Sequence, residues 1–185
     1  MKAFLDSEKV KNTYLIRVKQ HQEADEIVKG QYWQEGKGCA VGCTIHSNKH
    51  SEYETLIGVP EWLACLQDTI FEGLPNEKAN LFPLQFLEAI NVGANLEQIK
   101  IPMLIFIVES ARSNTNNESD LKVIDNVLFE LKKDVLDLVK LKAITNTSNA
   151  AHAADAAAHA AKAVTRKNEY VNFSEQLLKL ISECK

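Results

Sequence analysis

The sequence predicts an all-α fold: a compact core of short helices followed by long C-terminal helices, one of them alanine-rich. Three observations carry that expectation. The seven glycines and four prolines of the 185 residues fall where helix ends would want them. Between them, apolar residues recur at helical spacing. No alternating pattern long enough for a useful strand occurs anywhere.

A first helix is predicted over residues 8–29, carrying Val10, Tyr14 and Val18 and, after a polar gap, Ile27 and Val28, with Gly30 as its stop. The glycine-rich block from Gly36 to His46 predicts a turn and about two turns of helix. Ser51 to Glu54 has capping-box spacing for another short helix, which Gly58 ends. Pro60 suits the first position of the next helix, because its missing N–H costs nothing there. On that helix Leu63, Leu66, Ile70 and Leu74 form an apolar side, and Glu61, Cys65, Asp68 and Glu72 lie opposite. Gly73 and Pro75 stop it, Asn76 caps a further turn, Pro83 starts another helix to Ile90, and Gly93 breaks the chain again. The polar run Asn114 to Asn117 reads as a loop, with Ser119-Asp120 capping a helix that carries Leu121, Ile124, Leu128, Leu131, Val135 and Leu138. These breaks divide the chain into a helical core over 1–112 and a C-terminal helical segment over 119–185, packed on the core or on a partner. Within that segment, residues 150–163 repeat as AAHAADA and AAHAAKA, a strong helix former that a second backbone can approach closely.

Composition narrows the function classes. With 21 basic and 25 acidic residues the net charge is -4, which gives no electrostatic reason to expect nucleic acid or an anionic membrane as a partner. The start, Met-Lys-Ala-Phe-Leu-Asp, lacks the apolar region of a secretory signal, and the longest apolar stretch, residues 101–108, is far short of the roughly 20 residues of a spanning helix. Four cysteines, Cys39, Cys43, Cys65 and Cys184, in such a chain point to the reducing cytoplasm.

Two stretches, YWQEGKGCAVGCTIH from Tyr32 to His46 and IGVPEWLACLQDTIFEGLP from Ile57 to Pro75, resemble an uncharacterised family of bacterial and phage-associated proteins. The looser likeness spans roughly Arg17 to Ile107, and alanine-rich helical tails are similar to those of such proteins. Gln67 stands where the resemblance leads one to expect an acidic residue before Asp68. The resemblance implies a fold and no activity.

The candidate chemistry centres on the block from Trp33 to His46. Gly36, Gly38 and Gly42, with Lys37 alongside, could cradle a phosphate on backbone N–H groups, and Trp33, Cys39, Cys43 and Thr44 complete the ligand-binding candidates. It is not a P-loop, because Cys43 stands where the lysine of that motif belongs. The bland account is that the glycines permit a tight turn and a close helix approach. A thiol reading makes Cys39 a nucleophile, activated by a helix N-terminus and Lys37, with His46 as its base. If the helix persists, Cys39, Cys43, His46 and His50 share one face and form an alternative metal set, though one straight helix wraps a tetrahedral ion poorly. A carboxylate–histidine site would pair His46 or His50 with Asp68 or Glu72, against the expectation that those acids face water. In the tail, His152, Asp155 and His159 lie on one polar sector. No cofactor is expected. The function expected is a non-catalytic cytoplasmic binding or interaction module, self-associating or meeting a protein partner through the C-terminal helices. The alternative is a small-molecule, metal or phosphate-ligand binding protein, or a thiol-dependent enzyme, using Trp33 to His46.

Overall fold

A computed structural model describes residues 1–133 and 163–185, and among them the fold is all-α apart from a two-stranded hairpin. The alanine-rich repeat and the His152, Asp155 and His159 sector lie outside the described residues, apart from Ala163. Two units divide the chain, one made of Met1–Lys100 with Tyr170–Lys185 and the other of Ile101–Glu169. The division thus falls before the polar loop at 114–117, and the last residues of the chain belong to the first unit.

In the first unit, helix α1 spans Glu8–Glu23, with Ser7 accepting from the N–H of Val10 as its cap. It ends six residues before the predicted end at residue 29. Asp25 turns left-handed, and the following residues are recruited by the hairpin: Val28 N–H donates to the Gly38 carbonyl and Gly38 N–H to the Glu26 carbonyl. That hairpin, β1 (Trp33–Gln34) against β2 (Lys37–Gly38), is too short for periodicity to announce it. Helix α2 (Ala40–Ile45) follows directly, and α3 (Glu52–Ile57) ends on Gly58, whose positive φ is the left-handed stop its position predicts.

Helix α4 (Glu61–Gly73) begins right after Pro60, but its buried side is rotated from the predicted one. Leu63, Ala64, Gln67, Asp68, Ile70 and Phe71 face inward, whereas Leu66 is only half-buried. A polar group with a buried partner outweighs the simple wheel. Helix α5 (Asn76–Ala89) is continuous through Pro83, where two helices were expected. Pro83 has no N–H to donate to Ala79, so the helix forgoes one bond and keeps the burial of Ala79, Phe82, Phe86 and Leu87. Lys11 Nζ reaches the carbonyls of Glu88 and Ile90, and Gln22 reaches that of Asn80, so α1 and α5 run antiparallel. The chain end closes this unit: Leu177 and Ile181 are fully buried, Asn91 donates to the carbonyls of Ser182 and Cys184, and the Cys184 thiol donates to the Asn95 carbonyl.

In the second unit, α6 (Lys100–Ser113, of which Lys100 counts with the first unit) precedes α7 (Glu118–Leu131). The cap of α7 is Asn117, accepting from the N–H groups of Ser119 and Asp120, two residues before the expected Ser119-Asp120 cap. Ion pairs Arg112–Asp125 and Lys132–Glu109 join the two helices across exposed surface. A last helix, α8 (Ala163–Glu183), passes from this unit into the first. No described helix is long and apolar enough to cross a membrane.

Candidate functional site

The block from Trp33 to His46 is held by backbone geometry before any side chain acts. A Cβ built on Gly38 would stand 1.9 Å from the Tyr32 carbonyl oxygen, and one on Gly42 would stand 1.8 Å from the same atom. Both glycines therefore serve a close approach, which presses the Tyr32-Trp33 backbone onto the start of α2. The N–H groups that a phosphate would need are used internally: Gly38 donates to Glu26, Cys39 to Gln31 and Tyr32, and Gly42 weakly to the Cys39 sulfur. Lys37 is exposed, while Gly38, Cys39, Gly42, Cys43 and Thr44 are buried. As it stands, the expected anion cradle is occupied by its own loop.

Cys39 is the N-cap of α2, its sulfur accepting from the N–H of Gly42 at 3.5 Å. A helix N-terminus lowers a thiol pKa. Here burial acts the other way and more strongly, the Asp68 carboxylate beside the thiol adds to it, and Cys39 is pushed up to about 12. Burial pushes Cys43 up to about 12 as well, its thiol directed at the carbonyls of Gly38 and Glu26. Neither is a thiolate near neutrality. Cys65 alone among the four is exposed.

The predicted set Cys39, Cys43, His46 and His50 is not brought to one point. α2 ends at Ile45, and His46 caps it in the left-handed conformation, φ 55°, so the shared helical face required for that set ends there. Two separate clusters result. In one, His50 Nε2 lies 3.3 Å from Asp68 Oδ2, with the Tyr32 ring edge-on to His50 at 5.7 Å. Asp68 is buried, so it leaves the solvated stripe expected for it, whereas Glu72 stays exposed and accepts from Gly30 N–H. Beside Asp68, the fully buried Tyr53 donates its hydroxyl to Gln67 Oε1 at 3.0 Å, and Gln67 Nε2 and Asp68 Oδ1 have no hydrogen-bond partner among the described residues. Tyr53→Phe is expected to leave the Gln67 oxygen unpaired and cost about 1–3 kcal/mol in urea unfolding, with Tyr53→Phe/Gln67→Leu recovering part of the loss. Equal stability of Tyr53→Phe and the parent would show that this bond contributes nothing.

In the other cluster, His21 Nδ1 lies 2.6 Å from Glu26 Oε2, and its Nε2 lies 2.7 Å from Nε2 of His46. The Trp33 ring stacks on His46, 4.3 Å between centroids and 9° from parallel, and meets His21 edge-on at 5.4 Å. An ionised carboxylate only accepts, so Nδ1 of His21 carries the proton and Nε2 presents a lone pair. In the neutral pair His46 then donates from Nε2 and keeps a free acceptor at Nδ1. Loss of water from part of its ring, then the nearby charges of Arg17 and His21, hold His46 below the usual 6.5, with Glu26 opposing. Arg17 itself donates to the Thr44 carbonyl and lies over the Tyr14 ring.

His21 is the functional candidate that the sequence reading passed over. It continues the stripe of Tyr14 and Val18 at i+7 and i+3, so a histidine on the buried side of a helix was the available signal. Among the described residues, no three His, Cys, Asp or Glu side chains gather in an arrangement that would hold a metal. No protein-family model, curated protein or solved structure matches this chain.

Proposed function

We propose that the protein is a non-catalytic binding module of the cytoplasm, with its contact surface centred on Trp33 and His46. The observation that carries this reading is the Glu26–His21–His46 chain, which fixes one imidazole inside and ends on an exposed one stacked on Trp33. Such an array resembles a general-base relay. A nucleophile is what it lacks: among the described residues, the hydrogen bonds of His46 lead to His21 and the Gly42 carbonyl, while Cys39 and Cys43 are buried and neutral. Binding is the use that remains for a rigid aromatic next to two oriented imidazoles. Four free cysteines fit a reducing setting. Self-association through the alanine-rich stretch belongs to the same reading.

Native mass spectrometry of untagged protein taken from its own cells tests it. A bound mass or second chain is expected, absent from Trp33→Ala protein of unchanged helicity. A bare monomer for the parent, or equal retention by Trp33→Ala, would overturn it.

A further inference from the structure

We propose that Glu26, His21 and His46 form a proton-operated switch: uptake of one proton turns Nδ1 of His46 from a hydrogen-bond acceptor into a donor, with the His21–His46 bond intact. Its use rests on the Trp33–His46 face being a contact surface. The geometry fixes the proton count. In the neutral pair, four ring nitrogens carry two protons. One is on Nδ1 of His21, 2.6 Å from the Glu26 carboxylate, and the other lies between the two Nε2 atoms, which face each other at 2.7 Å. A further proton between those atoms would set two N–H groups against each other. Nδ1 of His46 has no hydrogen bond among the described residues, so a proton from solvent binds there.

The outcome is the same wherever the positive charge settles. Held on His46, it lies against the face of the stacked Trp33 ring. When the shared proton crosses to His21, the charge lies beside the Glu26 carboxylate. Either way His46 now presents Nδ1–H, and His46 is exposed at the end of α2 whereas His21 is buried. The groups around the pair set where the step falls. Arg17 and His21 come from α1, Glu26 from the stretch after it, the uncharged Trp33 ring from the hairpin, and Cys43, a neutral thiol near Glu26, from α2. Partial burial, Arg17 and His21 oppose a charge on His46 and Glu26 favours it, a balance that lies below pH 6.5. Above the step the face suits a partner's N–H or O–H. Below it the face suits a carboxylate, whose binding is then accompanied by uptake of one proton.

Acid titration of the full chain from pH 8 to pH 5, read by ¹H–¹⁵N correlation of the imidazole nitrogens, is the test. At pH 8, Nδ1 of His21 is expected to carry a proton and Nδ1 of His46 none. On acidification Nδ1 of His46 gains one, while the nuclear Overhauser contact between Trp33 and His46 persists. Glu26→Gln keeps an acceptor for His21 and removes the charge, so it should weaken proton uptake at His46 about tenfold and leave His50 as in the parent. A proton on Nδ1 of His46 already at pH 8, loss of the Trp33 contact in the same step, or uptake by Glu26→Gln equal to the parent's would overturn the proposal. Such a failure while Trp33→Ala still releases a bound mass removes the switch and leaves the binding face. The expected titration with the mass retained by Trp33→Ala removes the binding face, and with it the switch's use.

Discussion

Gly42→Ala is expected to lower stability by about 3 kcal/mol, the top of the usual range for overpacking. Thermal unfolding should then drop by roughly 6–12 °C for a chain of this size. The reason is not backbone conformation, since Gly42 has helical torsions that alanine adopts readily. It is the Tyr32 carbonyl oxygen, 1.8 Å from the site of the new methyl group. A flexible side chain could move aside, but this is backbone, held by the N–H of Cys39 at 3.0 Å. Gly36 is the control. It has a positive φ of 82° and open space, so Gly36→Ala should cost only about 1–2 kcal/mol. If Gly42→Ala melts with the parent, the Tyr32-Trp33 backbone does not lie against α2. The functional consequence follows from the same contact, because Trp33 Cβ stands 3.4 Å from the added atom and a displaced Trp33 cannot stack on His46.

How legible the fold was depended on the kind of signal. Gly58 and Pro60 mark a real helix end and a real start, since each acts through its own backbone and needs no neighbour, whereas Gly73, the last residue of α4, has no left-handed φ and leaves room for the Tyr170 ring, which a Cβ there would meet. Pro83 misled because a helix tolerates one missing bond when Phe82 and Phe86 are buried around it, a gain set by tertiary contacts. The end of α1 was hidden for a related reason: Ile27 and Val28 read as helix until a hairpin ten residues later offers their backbone other partners. At the site, the block of interest was visible as a string, and the pairing of its histidines was not. His46 finds its partner in α1 and His50 finds its own in α4, at separations where spacing carries no information. The wheel put Asp68 in water because it weighed a carboxylate as polar without knowing that an imidazole stood opposite.

Alkylation of Cys39 and Cys43 at pH 8 is expected to be about a thousandfold slower than for an unperturbed thiol, before any further protection from burial. A thiol pushed from 9.0 to about 12 has its thiolate fraction reduced by that factor, and the thiolate is the nucleophile. Cys65, exposed, should label first, and peptide mass spectrometry after a timed pulse of iodoacetamide separates the four. Rapid labelling of Cys39 in the folded protein would restore the thiol reading and weaken the binding one. The stability consequence has a definite sign. In the unfolded chain both thiols release their protons near pH 9, whereas in the fold they retain them to about 12. Their contribution is therefore fully present below pH 9 and lost as pH rises from 9 toward 12. Tyr53, raised above its usual 10 by complete burial, adds to the same decline. Replacing Cys43 with alanine should flatten the alkaline slope while leaving a cavity that lowers stability at every pH. That pairing distinguishes a thiol held neutral by its surroundings from one kept ready for chemistry, since a reactive cysteine would show the opposite slope: stability lost as pH falls through its depressed pKa.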